Sequence, residues 1–358
     1  MAVTIRDVAR HAEVSIATVS RALSAPDLVA EQTRARVVAV ARELGYEPNR
    51  AARSLITGRT GFIGAVVPDV ANPFFLGALR GIQGAAREHG HHVLLADTAE
   101  DPVAEAELIN SISRQVDGMI LLSSRLSVAR LREFPGAGRT VLFNRVLPGF
   151  PAVLLDSADG ARQLVAHLAA LGHRRIAYAG GPRESFADAE RRRGLAKVCQ
   201  DTDIRVIDLG AFPPVFSSGA RIADLALEAR VTAVIAYNDL VALGVIARLR
   251  DRRIDVPVDM SVTGFDDIPM ASMSAPRLTT MSVPLEQAGR AAVELLLRQS
   301  EGNGAGNGSG SGNLISDPQP RGRLLPVRLV VRSSTAAPRR PGGWTSRGSR
   351  EAADTPHK

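Results

Sequence analysis

The start of the chain contains two short stretches in which apolar residues recur every three to four positions. This spacing places them on one face of a helix, and the inward positions are Ile5, Val8, Ala9, Ala12, Val19, Ala22 and Leu23. Thr4 and Asp7 are spaced as in a capping box, which predicts that the first helix begins at Ile5. Ser15 is placed to cap the second helix. Two short helices joined by a tight turn form a helix-turn-helix motif.

A third helical pattern runs from Glu31 to Leu44 and ends before Gly45. Its apolar positions can close a small core over the two preceding helices.

The outward face of the second predicted helix combines hydroxyl groups, small or apolar side chains and one arginine. The candidate DNA contacts on and beside it are Ser15, Ile16, Ala17, Thr18, Ser20 and Arg21. Hydroxyl groups suit DNA phosphates, and an arginine suits the acceptor atoms of guanine. An isolated helix pair could instead be a structural corner, but this combination of side chains favours a recognition helix in the major groove.

Beyond Gly61, short apolar runs alternate with amphipathic helical segments. The first half has predicted strands at 62–67, 92–97, 118–123 and 140–143 and helices at 73–89 and 102–114. After Asp156 the pattern predicts helices at 157–171, 187–199, 218–229 and 239–250 and strands at 175–179, 204–209, 233–237 and 261–265. Such alternation predicts an α/β fold with two doubly wound parallel sheets.

The end of the chain is poor in regular patterns. Glycine at every second position from 302 to 312 predicts a flexible loop between a helix at 285–299 and a final strand at 324–331. The segment 336–358 lacks apolar periodicity and is expected to be a disordered basic tail. It has no leucine heptad, so a dimer is expected rather than a tetramer.

Three groups of residues occur in a fixed order along the chain: TIRDVARHAEVSIATVSR, GYEPNRAARSL and PDVANPFF. Together they resemble the lactose-repressor (LacI/GalR) family of transcriptional regulators, from about residue 3 to residue 335. The resemblance implies a DNA-binding headpiece at 1–47, a hinge helix and linker at 48–60, and an effector-binding and dimerisation core at 61–335. It also implies that this core is a clamshell like that of periplasmic binding proteins. Its first subdomain would comprise 61–155 and 283–322, and its second 156–282 and 323–335.

In the family, the hinge helix orders on DNA beside its dimer mate and inserts a leucine into a minor-groove step. Leu55 matches that position, and Asn49, Arg50 and Ala52 are the other candidate contacts in this segment. The alternative is an ordinary linker with one helical turn, since so short a helix is marginal in water.

Two residues of the headpiece depart from the family pattern. Glu13 lies in the turn where glycine is usual, and Ala30 lies where a serine or threonine cap is usual. Each departure costs up to about 1 kcal/mol, and neither removes the fold.

Polar residues follow several predicted strands of the core. In doubly wound sheets, ligands bind beyond the carboxyl ends of the strands. The candidate effector contacts are Asn72, Phe74, Asn144, Arg145, Arg191, Phe212, Asn238 and Asp266, with Arg191 assigned through the resemblance. Carboxylates, amides and an arginine beside aromatic rings would suit a sugar or a nucleoside. Because asparagine and aspartate at strand ends also cap the next helix, capping is the alternative role for these positions, above all for Asn72 and Asp239.

The composition of the chain limits the size of its core, the charge of its partners and its disulfide content. An apolar content of 45% in 358 residues is enough for a full α/β core beside a small extra domain. The net charge is +7, of which residues 1–60 contribute +3 (nine arginines against six acids) and residues 336–358 another +3 (five bases against two acids). This excess is compatible with a nucleic-acid partner at the N-terminal end. The single cysteine, Cys199, excludes an intramolecular disulfide.

The sequence contains no catalytic motif, so an enzyme is not expected. His89, His91 and His92 fall at a helix end and a strand start, where packing explains them better than a metal, and no cofactor is expected. The longest apolar runs are of strand length, and Arg6, Asp7 and Arg10 stand where a secretion signal would need an apolar core. A cytoplasmic protein is therefore expected, associated with the nucleoid when it is bound to DNA, with no membrane partner.

These observations favour a homodimeric transcriptional repressor that binds a pseudo-palindromic operator and responds to a small polar effector. Closure of the cleft would then change the pairing of the hinge helices. One alternative is the same DNA-binding role controlled by a protein co-regulator, or by no ligand at all, or exercised as an activator. Another is a solute-binding transport component, which the headpiece argues against.

Overall fold

The computed structural model describes residues 3–24, 26–46, 59–134, 139–302 and 322–339. The predicted hinge contacts Asn49, Arg50, Ala52 and Leu55 lie outside these residues. So do most of the glycine-rich loop and the tail from residue 340 onward.

The headpiece contains the three predicted helices. They are α1 (Ile5–His11), α2 (Ile16–Ser24) and α3 (Glu31–Glu43), with a 3-10 turn at Pro26–Leu28 before α3. Their shared core consists of Val8, Ala9, Ala12, Val19, Ala22, Val37 and Ala41. The helix-turn-helix prediction is confirmed.

Capping fixes where the first two helices begin. The Thr4 hydroxyl and amide donate to the Asp7 carboxylate at 2.7 and 3.0 Å, and these hydrogen bonds lower the pKa of Asp7. The Ser15 hydroxyl accepts the Thr18 amide at 3.0 Å, as predicted for the cap of α2.

The two departures from the family pattern are both visible in the backbone. Glu13 has a φ of 52°, the left-handed conformation that glycine adopts without steric cost. Ala30 supplies no side-chain cap to α3.

The first sheet of the core contains six strands in the order β11-β5-β4-β3-β1-β2. The strands are β1 (Phe62–Val67), β2 (His92–Asp97), β3 (Gly118–Leu122), β4 (Thr140–Phe143), β5 (Ala152–Leu155) and β11 (Gly322–Leu325). The pairs β1–β3, β3–β4, β4–β5 and β5–β11 are parallel. Helices α4 (Pro73–Glu88), α5 (Pro102–Ile112) and α6 (Val128–Arg132) connect its strands.

The second sheet contains four parallel strands in the order β7-β6-β8-β9. The strands are β6 (Arg175–Gly180), β7 (Arg205–Ala211), β8 (Ala233–Ala236) and β9 (Ser261–Thr263). The accompanying helices are α7 (Ser157–Ala170), α8 (Phe186–Asp201), α9 (Ser218–Glu228), α10 (Asp239–Asp251) and α11 (Pro269–Met273). A two-stranded antiparallel sheet joins β10 (Thr280–Ser282) to β12 (Arg328–Val330), and helix α12 (Leu285–Gly302) follows β10. The α/β prediction with parallel sheets is confirmed.

The prediction of one final strand at 324–331 is wrong. The structure has two strands, β11 and β12, separated at Pro326, which has no N–H to continue a ladder. Because β11 pairs with β5, the chain leaves the first sheet after Leu325 rather than at residue 323.

The expected tail at 336–358 also begins too early. The carbonyl oxygen of Ala336 lies 2.9 Å from Nε2 of His173 and accepts the Ser261 hydroxyl at 3.2 Å. Arg339 donates to Asp259 at 2.7 Å. His173 and Ser261 are fully buried, so the chain is held by specific contacts as far as Arg339.

Helices α4 and α12 approach each other through glycines. A Cβ atom at Gly81 would lie 2.0 Å from the carbonyl oxygen of Glu286, and one at Gly289 would lie 2.2 Å from that of Ala78. Both neighbours are backbone atoms, which cannot rotate away as a side chain can. The close packing of α4 against α12 therefore requires glycine at both positions.

Gly81→Ala is therefore expected to reduce the free energy of unfolding by roughly 1–3 kcal/mol, the usual cost of forcing extra volume into a packed core. Gly84→Ala, in the same helix, is the matched control, because the nearest atom to its Cβ is a guanidinium nitrogen of Arg290 at 3.6 Å. It is expected to stabilise the protein by up to about 1 kcal/mol through helix propensity. Urea denaturation of both variants checks the prediction, and equal effects would contradict it.

Candidate functional site

The outer face of α2 presents the side chains predicted to contact DNA. Ile16 is 46% exposed, and Ala17 and Arg21 are also exposed. Arg21 makes no hydrogen bond or ion pair with another described residue. Thr18 and Ser20 are half-buried, and the hydroxyl of Ser15 is occupied in capping the helix. The surface thus offers one unengaged guanidinium beside apolar groups.

A small cavity of about 20 Å³ lies in the core between the two large sheets. It brings together five of the predicted effector contacts, namely Asn72, Phe74, Asn144, Arg191 and Asp266. The same cavity is lined by residues that the sequence did not single out: Phe75, Glu100, Ser123, Arg125, Ala187, Pro214 and Tyr237.

Asn144 and Asp266 reach this central cavity through unusual backbone conformations at strand ends. Asn144 has a φ of 56°, and its backbone N–H donates to the Val153 carbonyl at 2.6 Å. Asp266 has a φ of 119°, and its amide donates to the Met281 carbonyl at 2.9 Å. Side-chain-bearing residues in such conformations cost free energy and cluster at functional sites.

Arg191 extends from α8 into the central cavity between two aromatic rings. Its guanidinium carbon lies 3.5 Å from the Phe265 ring centroid and 4.9 Å from that of Tyr237, and Nη1 donates to the Tyr237 carbonyl. Its Nε is buried and has no hydrogen-bond partner among the described residues, and the same is true of Oδ1 of Asn144. One buried hydrogen-bond donor and one buried acceptor at the same site therefore lack a partner among the described residues, which is uncommon in native proteins.

Asp266 contributes a carboxyl group to the lining of the central cavity. Burial raises the pKa of Asp266 well above its usual value; the charge of Arg191 opposes this rise, and that of Asp239 adds to it. Asp239 does not line the cavity. It accepts the Thr280 hydroxyl at 2.5 Å and the Ile268 amide at 2.9 Å, yet burial raises the pKa of Asp239 to about 7.

The raised pKa of Asp239 predicts a pH dependence of stability. Between pH 4 and 7 the unfolded chain releases this proton while the folded chain keeps it, so ionisation favours unfolding as the pH rises. We expect wild-type protein to lose a few kcal/mol across this window relative to Asp239→Asn, which has no proton to release. Denaturant titrations of both proteins at pH 4.5 and 7.5 measure the difference. Parallel pH profiles would contradict the assignment.

Three other predicted contacts are not brought into the central cavity. Asn238 caps α10 by accepting the Val241 amide at 2.9 Å, and it donates to the Pro214 carbonyl at 3.1 Å. Phe212 lines a neighbouring cavity of about 580 Å³, and Arg145 lines another of about 570 Å³. Asn72 lines the central cavity and also caps α4, since its side-chain oxygen accepts the Phe74 amide at 3.1 Å.

A partly buried ion pair lies between these cavities. Arg125 is 5% exposed and donates to both carboxylate oxygens of Glu100, at 2.6 and 3.0 Å. Arg125 follows β3, so the same strand-end rule that identified Asn144 could have found it. Glu100 lies in a loop with a φ of 61°, a position that no sequence pattern indicated.

In the part of the chain that the structure describes, no helix is both long and apolar enough to cross a membrane. Among the described residues, no three His, Cys, Asp or Glu side chains are grouped so as to hold a metal ion.

A helix-turn-helix headpiece and a two-subdomain core with a polar cavity at its strand ends define a class of protein, the ligand-responsive DNA-binding regulators. Comparison with known proteins identifies the group within that class. Residues 4–49 match the family described as bacterial regulatory proteins, lacI family, and residues 165–335 match a periplasmic binding protein-like domain.

The chain is 37% identical to the HTH-type transcriptional regulator GalS of Salmonella typhimurium over 311 residues, covering 84% of this chain and 91% of GalS. It is 36% identical to the HTH-type transcriptional repressor CytR of Escherichia coli over 346 residues, covering 94% and 97% of the two chains. Its fold matches that of the lac repressor dimer bound to operator and the anti-inducer ONPF, with a TM-score of 0.79, 28% identity, and coverage of 94% of this chain and 100% of that one. The chain belongs to the lacI family of bacterial regulatory proteins, and it is a transcriptional regulator.

Proposed function

We propose that this regulator is a cytoplasmic homodimeric repressor whose operator affinity is controlled by a small polar effector bound in the cleft that the central cavity forms with its two larger neighbours. The headpiece would read a pseudo-palindromic operator through α2, with the segment at 48–60 acting as the hinge. Arg191, Asp266 and Asn144 would hold the effector, with Asn72 and Phe74 completing the wall.

The similarity to the lac repressor supports the DNA half of this proposal, because that protein is a dimer bound to operator and to a small ligand. The exposed face of α2 supports it independently. Ile16 and Ala17 lack hydrogen-bonding groups and suit thymine methyl groups, whereas Arg21 suits guanine.

The proposal of a bound effector rests on two buried polar atoms at the central cavity that have no hydrogen-bond partner among the described residues. Nε of Arg191 can donate and Oδ1 of Asn144 can accept, and neither has a partner among the described residues. Asp266 adds a carboxyl group that can accept from hydroxyls, and Phe74 offers an apolar surface. A polyol supplies donors, acceptors and apolar C–H faces together, so it would satisfy this set.

A thermal-shift screen of sugars and nucleosides, followed by operator-release assays on each stabilising compound, tests the proposal. Binding to the folded state alone raises the melting temperature in proportion to the logarithm of ligand concentration. The expected result is at least one compound that both stabilises the protein and changes its operator affinity. A compound that stabilises the protein through Asp266 without any effect on operator binding would contradict effector control.

A further inference from the structure

Arg145 lines a second cavity next to the central one, although its position after β4 suggested a contact with the central cavity. Arg125 lines both cavities, so they share one wall. The second cavity has a volume of about 570 Å³ and includes Arg130 together with apolar Val103 and Leu126. This volume is large enough to hold part of a bound small molecule.

The charge of Arg145 has little compensation. The residue is 8% exposed, and its one side-chain hydrogen bond among the described residues runs from Nη1 to the Ser124 carbonyl at 2.6 Å. It forms no ion pair within the described ranges, and its other N–H groups have no partner there. Burial lowers the pKa of Arg145; the charge of Glu105 opposes this, and that of Arg125 adds to it. A buried cation without a carboxylate partner is costly, so a binding role would explain it.

The acidic groups nearby are already engaged or exposed. Glu100 receives two hydrogen bonds from Arg125, and Glu105 accepts the backbone amide of Arg125 at 2.8 Å. Glu107 and Glu184 line the second cavity but are exposed, so water screens their charges. Its buried wall therefore presents the unpaired guanidinium of Arg145.

We propose that the effector is an anionic polyol, such as a sugar phosphate or a sugar acid. A hydroxyl group reaches the polar residues that line the central cavity of about 20 Å³, and the anionic group binds Arg145 in the second cavity. A guanidinium with free N–H groups recognises phosphate and carboxylate through paired, charge-assisted hydrogen bonds. This inference rests on the proposed function, because it assigns a ligand class to the same cleft.

Calorimetric titration with matched pairs tests the charge requirement. The probes are glucose 6-phosphate with glucose, ribose 5-phosphate with ribose, and galacturonate with galactose, all at one ionic strength. For wild-type protein, at least one anion is expected to bind ten times more tightly than its neutral parent, and the pairs distinguish phosphate from carboxylate. Arg145→Met is expected to abolish that difference. Arg132→Met removes an exposed arginine outside the cavity lining and is expected to preserve it.

Melting curves and binding of the neutral parent establish that Arg145→Met is folded. The inference is overturned if no anion binds better than its parent, or if Arg145→Met weakens both members of a pair equally. Release of the operator by neutral sugars alone would overturn the anionic class but leave effector control intact. Binding of an anion through Arg145 without any effect on operator affinity would instead support the second cavity and overturn effector control.

Discussion

Replacement of Asp266 by alanine is expected to abolish the response of operator binding to effector while leaving operator affinity itself unchanged. The carboxyl group of Asp266 lines the central cavity, so its loss removes hydrogen bonds to effector hydroxyls. Each hydrogen bond of an uncharged carboxyl group contributes about 0.5–1.5 kcal/mol, and two of them correspond to a loss in effector affinity of roughly 5- to 150-fold.

The fold is expected to tolerate this substitution, because burial disfavours the charged form of Asp266 and raises its pKa. Titration of the effector against an operator complex, read by fluorescence anisotropy, gives the response. Asp201→Ala removes an exposed carboxylate from α8 and serves as the control with a normal response. If Asp266→Ala releases the operator at the wild-type effector concentration, Asp266 only shapes the strand end.

Arg21→Ala is expected to weaken operator binding by roughly 1–3 kcal/mol and to leave binding to random DNA nearly unchanged. Arg21 is exposed and has no hydrogen bond or ion pair among the described residues, so its removal should not unfold the headpiece. The loss should fall on the specific complex because the planar guanidinium recognises one base pair.

Mobility-shift titrations on operator and random duplexes at one salt concentration separate the two effects, since phosphate contacts depend strongly on salt. Arg221→Ala, which removes an exposed arginine from α9 of the core, controls for the change in net charge. Equal losses on both duplexes would mean that Arg21 contacts phosphates rather than a base.

The fold could be predicted largely from the sequence because its patterns are local. The alternation of strands and helices, the caps at Thr4 and Ser15, and the family resemblance all depend on residues close together in the chain. The apolar pattern predicts one continuous strand across Pro326, because apolar residues lie on both sides of it. Only the strand pairing reveals that the chain changes sheets there.

The cavity was predictable only in part. Asn144 and Asp266 were found because each follows a parallel strand and lies at the carboxyl edge of its own sheet, where ligands bind. Asn238 and Arg145 satisfy the same rule, yet one is used as a helix cap and the other lines a different cavity. Their side-chain directions depend on packing with distant segments, such as the loops of Pro214 and Ser124, and no sequence spacing encodes them.

The contacts of Ala336 set a limit on how far the protein can be shortened from its C-terminal end. A chain cut after Arg339 keeps the carbonyl group that His173 and Ser261 share, as well as the ion pair to Asp259. A chain cut after Thr335 removes that acceptor and leaves the buried His173 and Ser261 with their contact to each other, Nε2 to Oγ at 3.1 Å, at a total cost of about 1–3 kcal/mol for the two lost hydrogen bonds. Shortened proteins intended for crystallisation should therefore end at or beyond Arg339, and a cleavable tag is better placed after this residue than in front of it.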